Sequence, residues 1–139
     1  MSEHGSLQLH TSEGDGLRFE AKFATGTIVM DSGEGQVAPN PVQTLLASIA
    51  ACEAMDVISL LRKKRQPVTG YEVQMSGERA SEHPRRFTSI AIVHHVTGHG
   101  VEAQAVADSL RLTVDKYCSV YHCIRPDITI TNRFEIHTG

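Results

Sequence analysis

The sequence predicts an α+β domain with two helices packed on antiparallel sheet, in the order ββ–α–ββ–α–β. Three patterns carry this. Alternating apolar and polar residues run through 17–23, 71–76 and 87–96. A long segment free of Gly and Pro follows Asn40-Pro41. An apolar row recurs every fourth residue from Val106 to Cys118. With 139 residues, the chain is long enough to bury a real core without a disulfide or metal to staple it. The expected organisation is a flexible, polar N-terminal segment over 1–16 and a single domain over 17–139.

Each element has a local cause. Leu17, Phe19, Ala21 and Phe23 share one face of a strand, with Arg18, Glu20 and Lys22 on the other. Gly26 offers a turn, and Thr27 to Met30 completes an N-terminal hairpin. Residues 31–41 hold two glycines and two prolines and read as a loop. Asn40-Pro41 is a helix start, an N-cap residue followed by proline at the first helical position. The helix runs from Pro41 to about Lys64. Its first half is apolar nearly all round, as in the middle of a core or an interface. It ends in Arg62-Lys63-Lys64-Arg65, where cations meet the partial negative charge of a helix C-terminus, and Gln66-Pro67 stops it. Tyr71, Val73 and Met75 alternate with polar residues in a half-exposed strand. Phe87 to Val96 forms the next, with Ile90, Ile92, His94 and Val96 on one face. A second helix spans Val101 to Cys118, and Ile128 to Ile136 gives the last strand.

Composition narrows function. Thirteen basic against sixteen acidic residues give a formal net charge of −3, with no basic stripe for nucleic acid. The N-terminus lacks the basic and apolar regions of a signal peptide, and the apolar stretch Thr44 to Cys52 is short for a membrane span. A cytoplasmic location is expected, with no nucleic-acid or membrane partner. Three cysteines, Cys52, Cys118 and Cys123, are no disulfide framework. Buried free Cys often serves simply as a small hydrophobe. Here, however, Glu53 and Asp56 follow Cys52 on an apolar helix, and buried carboxylates demand basic partners, water or an active site. Eight histidines raise a metal question. The possible ligands are His94, His95, His99, Cys118, His122 and Cys123. They show no C-x2-C or H-x3-H spacing, and His94 and His95 point to opposite faces of their strand, so no metal is expected.

The run Asn40-Pro41-Val42-Gln43-Thr44-Leu45-Leu46-Ala47-Ser48-Ile49-Ala50-Ala51-Cys52, with Cys118 at the end of another helix, resembles the signature of the OsmC/Ohr family. That family comprises the osmotically inducible protein C and organic hydroperoxide resistance proteins. The likeness covers about residues 17–136 and is greatest to a less characterised branch, through Asp56-Val57-Ile58-Ser59. It implies an OsmC-like fold, an interlocked homodimer and a thiol-dependent peroxidase acting on organic hydroperoxides or another small apolar electrophile. Cys52 would be the peroxidatic thiol and Cys118 the resolving one. No bound cofactor is implied, only an external dithiol reductant. The sequence departs from the family at Val42, where the motif carries glutamate; neighbouring Gln43 offers only a neutral hydrogen bond. Arg18 is the candidate activating cation, and Glu53 the candidate replacement carboxylate. Cys123 is assigned a structural role. The alternative is an OsmC-fold protein that binds a small apolar ligand with weak or no peroxidase activity.

Overall fold

The computed structural model describes residues 1–10 and 16–139. The chain forms two compact units, Met1–Leu45 and Leu46–Gly139. The boundary lies inside a helix and carries no linker composition, which is why the sequence reads as continuous there.

The first unit is a three-stranded antiparallel sheet in the order β1 (Ser6–Leu9), β2 (Phe19–Phe23), β3 (Gly26–Met30). The hairpin β2–β3 lies where alternation predicts it. Strand β1 corrects the expectation of a flexible 1–16 segment. Leu7 and Leu9 alternate with Ser6, Gln8 and His10, and β1 pairs with β2 in register Leu7↔Ala21 and Leu9↔Phe19. Residues 11–15 of that segment lie outside the described residues. Side chains directly opposite across a ladder share a face. Leu7, Leu9, Phe19, Ala21, Phe23, Ile28 and Met30 therefore make one apolar face. The 31–39 loop is closed by Asp31, whose carboxylate accepts the Ser32 and Val37 N–H groups at 2.8 and 3.1 Å.

Helix α1 (Pro41–Lys63) begins as the sequence predicts. Asn40 Oδ1 accepts the Gln43 N–H at 2.8 Å and Gln43 Oε1 accepts the Asn40 N–H at 2.9 Å, a reciprocal capping box. At the far end, Arg65 takes φ 54°. The Gln66 N–H reaches the Leu61 carbonyl and the Arg65 N–H that of Arg62, a Schellman motif with arginine where glycine is usual. By length and composition, α1 is long and apolar enough to cross a bilayer, which corrects the shorter estimate from Thr44–Cys52. It nevertheless buries Ile49, Ala50, Glu53, Val57 and Leu61 in protein, and two mid-helix carboxylates would be costly in lipid.

The second unit holds a sheet ordered β4 (Gly70–Arg79), β5 (Phe87–Thr97), β6 (Thr129–His137). β4–β5 is antiparallel, but β5–β6 is parallel, which corrects the all-antiparallel expectation. The chain between them contains helix α2 (Ala103–Leu112), the crossover a parallel pair needs. Ile90, Ile92, His94 and Val96, expected on one face, are all buried, and Val57, Leu61, Val96, Ala105, Val106 and Leu110 form the core. The second helix is shorter than expected. It passes at Thr113–Tyr117 into a π-helical turn, closed by the Cys118 N–H on the Thr113 carbonyl at 2.8 Å. A 3₁₀ turn follows at Tyr121–Cys123.

Candidate functional site

Helix α1 and the end of the π turn bring two sulfurs together inside the second unit. Cys52 is half-buried and Cys118 fully buried; both are free thiols. Their sulfurs lie within 4.8 Å of each other, and the Cys118 sulfur accepts the Tyr121 N–H at 3.3 Å. Asp56, one turn beyond Cys52, completes a group whose sulfur and carboxylate atoms all lie within 4.8 Å of one another. A soft cation would accept that donor set.

The two sulfurs have unequal surroundings. Burial pushes the Cys118 thiol up to about 12. The Tyr121 N–H works against this, while the Cys52 contact, the Cys52 charge and Glu53 add to it. Cys118 is thus a protonated thiol at neutral pH, able to donate its S–H towards Cys52.

Behind the thiols lies a buried polar chain. Glu53 Oε1 is 3.3 Å from His94 Nε2, and His94 Nδ1 is 2.7 Å from the Tyr71 hydroxyl. Glu53 and His94 have no exposed surface. An ionised carboxylate only accepts, so Nε2 carries the proton and donates to Glu53. Nδ1 shares a hydrogen bond with the Tyr71 hydroxyl. Burial, and then the charge of Glu53, raise the Tyr71 pKa and keep the phenol a donor. Glu53 Oε2 and Asp56 Oδ2 are buried without a hydrogen-bond partner among the described residues. Such orphaned acceptors are expensive and concentrate at functional sites.

Of the residues singled out from sequence, Cys52, Cys118 and Glu53 converge. Glu53 is engaged by His94, the basic partner that a buried carboxylate demands. Arg18 belongs to the first unit, where its carbonyl accepts the His10 N–H at 2.8 Å and where, with Asp31 and Ser32, it lines a cleft. Gln43 is committed to the helix cap. Cys123 is exposed, so any structural role is not core packing. His122 donates to the Val114 carbonyl at 2.9 Å. His94 and His95 do take opposite faces. Sequence reasoning missed His94, Tyr71 and Tyr121 as neighbours of the site. A signal existed for His94: a histidine on an otherwise apolar strand face, with an acid on an otherwise apolar helix, are complementary buried groups.

Residues 33–133 match the OsmC family, described as OsmC-like protein. Protein YhfA of Escherichia coli K12 is 39% identical over 123 residues, covering 88% of this chain and 92% of that protein. The crystal structure of a hypothetical protein from Aquifex aeolicus VF5 superposes with a TM-score of 0.86 at 31% identity, over 100% of this chain and 98% of that one. The organic hydroperoxide resistance protein OhrB of Bacillus subtilis shares the fold, with a TM-score of 0.63 at 12% identity and coverage of 95% and 98%. The profile match and the YhfA relationship both span most of the chain, and on these grounds the protein is a member of the OsmC-like family.

Proposed function

We propose that the protein is a thiol-dependent peroxidase that reduces organic hydroperoxides as an oxidative-stress defence in the reducing cytoplasm. The observation that carries this is the paired thiols: a partly accessible Cys52 sulfur within 4.8 Å of that of a buried Cys118. The Cys52 thiolate attacks one peroxide oxygen and the O–O bond breaks. The alkoxide takes a proton and leaves as an alcohol, and Cys52 becomes a sulfenic acid. The Cys118 sulfur then attacks the sulfenic sulfur. A disulfide forms and water leaves with the thiol proton. An external dithiol reduces the disulfide and is itself oxidised. Fold kinship with a protein named for organic hydroperoxide resistance supports the choice of oxidant. Arg18 is assigned the activating cation, and Glu53 a carboxylate that orders the site through His94.

The test is disulfide mapping after one equivalent of an organic hydroperoxide is added to reduced protein. Rapid formation of a Cys52–Cys118 bond is the expected result. Cys52→Ser should abolish consumption, whereas Cys118→Ser should accumulate a sulfenic acid that a dimedone probe traps. Arg18→Ala should slow consumption at least tenfold. Consumption by Cys52→Ser at the wild-type rate would overturn the assignment. The second reading, a small apolar ligand bound beside the thiols with little turnover, is favoured by Glu53 and Asp56 flanking Cys52. It would gain from slow oxidation by every hydroperoxide tried.

A further inference from the structure

The parallel pairing of β5 with β6 creates a second cluster, on the face of the sheet opposite the thiols. His95 stands opposite Glu135, and Thr97 opposite His137. Alternation puts Glu135 and His137 on the same outer face as His95. Three ligating atoms meet there. His95 Nδ1 lies 3.0 Å from His137 Nε2 and 3.3 Å from Glu135 Oε2, and the latter two atoms are 3.7 Å apart. A triangle with these sides has a centre about 2 Å from every corner, the length of a Zn–N or Zn–O bond.

The surroundings prepare these atoms for a cation. Gln74 Oε1 lies 2.9 Å from His95 Nε2. It accepts the proton there, so Nδ1 is the nitrogen left to meet a cation in the cluster. Such an outer hydrogen bond on the far ring nitrogen is how metal-binding histidines are oriented. Glu135 is held in the same way. Arg133 donates to Oε1 at 2.9 Å and so frees Oε2. The rings of His95 and His137 have centroids 5.2 Å apart and planes inclined by 25°, so each turns an edge nitrogen to the common gap. A cleft of about 390 Å³, lined also by Tyr71, Gln74 and Thr97, adjoins the histidines and leaves room for water or an added ligand.

We propose that His95, Glu135 and His137 bind one borderline divalent transition-metal ion of the Zn²⁺ class. Two imidazoles and one carboxylate suit zinc, and three protein ligands leave a further position open. None of these residues takes part in the thiol chemistry, so the proposal stands apart from the peroxidase assignment.

The test uses the full chain without a polyhistidine tag, in a Cys52→Ser/Cys118→Ser background that removes the thiol pair as a competing site. Zn²⁺ is titrated by calorimetry. One equivalent bound at micromolar affinity or better is expected. His137→Ala and Glu135→Gln should each weaken binding at least tenfold, and Gln74→Ala, which touches only the outer bond, should weaken it about tenfold. X-ray absorption should report two imidazole ligands. Circular dichroism confirms that each half-exposed variant remains folded. Absence of binding below millimolar Zn²⁺ would overturn the site, as would binding indifferent to His137→Ala and Glu135→Gln.

Discussion

Burial pushes the Cys118 thiol from its ordinary value of 9.0 up to about 12, with the Cys52 contact and Glu53 acting in the same direction. The folded state thus keeps a proton that the unfolded chain gives up. Stability changes with pH in proportion to protons bound by the unfolded state minus those bound by the folded state. That difference is negative for Cys118 between about pH 9 and 12. Its contribution is therefore fully present below pH 9 and is lost as pH rises towards 12. Tyr71 and Tyr121, also raised by burial and Glu53, act with the same sign but mainly near and above their ordinary 10.0. Urea unfolding at pH 8.0 and 9.5, compared between wild type and Cys118→Ala, isolates the thiol. Wild type should lose stability between the two, and Cys118→Ala, whatever its absolute stability, should show a smaller loss. Equal losses would mean that Cys118 ionises in the folded protein as it does in a free chain. The same asymmetry is consistent with the proposed chemical roles. The sulfur that burial and Glu53 keep protonated is suited to resolve, and the partly exposed one to attack. The Cys52 and Cys118 positions were legible from the family pattern, and Glu53 from its place on an apolar helix. Tyr71 and His94 were not, because their convergence depends on the β4–β5 register, Tyr71↔Val96 and Val73↔His94.

At the scale of elements, the C-terminus of α1 shows a local rule broken and kept in place. Arg65 sits at φ 54° to close the Schellman motif. A side chain in that region costs about 1–2 kcal/mol, and glycine removes this cost at a penalty of about 0.5–1 kcal/mol from the freer unfolded chain. Arg65→Gly should therefore stabilise the protein by about 0.5–1 kcal/mol, read as a higher urea midpoint with an unchanged slope. A lower midpoint would show that the arginine side chain contributes more than its backbone conformation costs. Elements were legible wherever one local cause decides them: Asn40-Pro41 starts α1, Gln66-Pro67 ends it, and alternation marks β5. Three features were not. Strand β1 has no buried residue, so its Leu7–Leu9 alternation looked like an ordinary polar tail. The π turn at 113–117 keeps the apolar row of Val106, Leu110 and Cys118 buried and alters only its hydrogen bonding, which spacing does not report. The parallel β5–β6 pair, which assembles His95, Glu135 and His137, follows from the crossover path and not from any local pattern.

At the scale of the molecule, the first unit is incompletely covered. Its sheet gathers Leu7, Leu9, Phe19, Ala21, Phe23, Ile28 and Met30 on one face, yet Ala21 is the only hydrophobic residue there that is buried with the whole chain present. Leu7, Leu9, Phe23 and Ile28 all expose 45% or more of their surface. A three-stranded sheet is stable when such a face packs against something, and contiguous exposed apolar surface of this kind marks an association site. A second copy of the chain is the occupant proposed, as the family resemblance implies. Light scattering at micromolar concentration should then give about twice 15.2 kDa. Because a dimer that shares its core is stabilised by mass action, the melting temperature should rise with protein concentration. Ile28→Glu, which places a charge in the middle of the apolar face, should shift the mass towards the monomer and remove the concentration dependence. A wild-type mass of 15.2 kDa with a concentration-independent melting temperature would overturn the dimer. Peroxide consumption measured on the same Ile28→Glu sample separates two further cases. If activity falls with the dimer, the thiol site depends on the partner subunit; if it persists in the monomer, a single chain carries the chemistry.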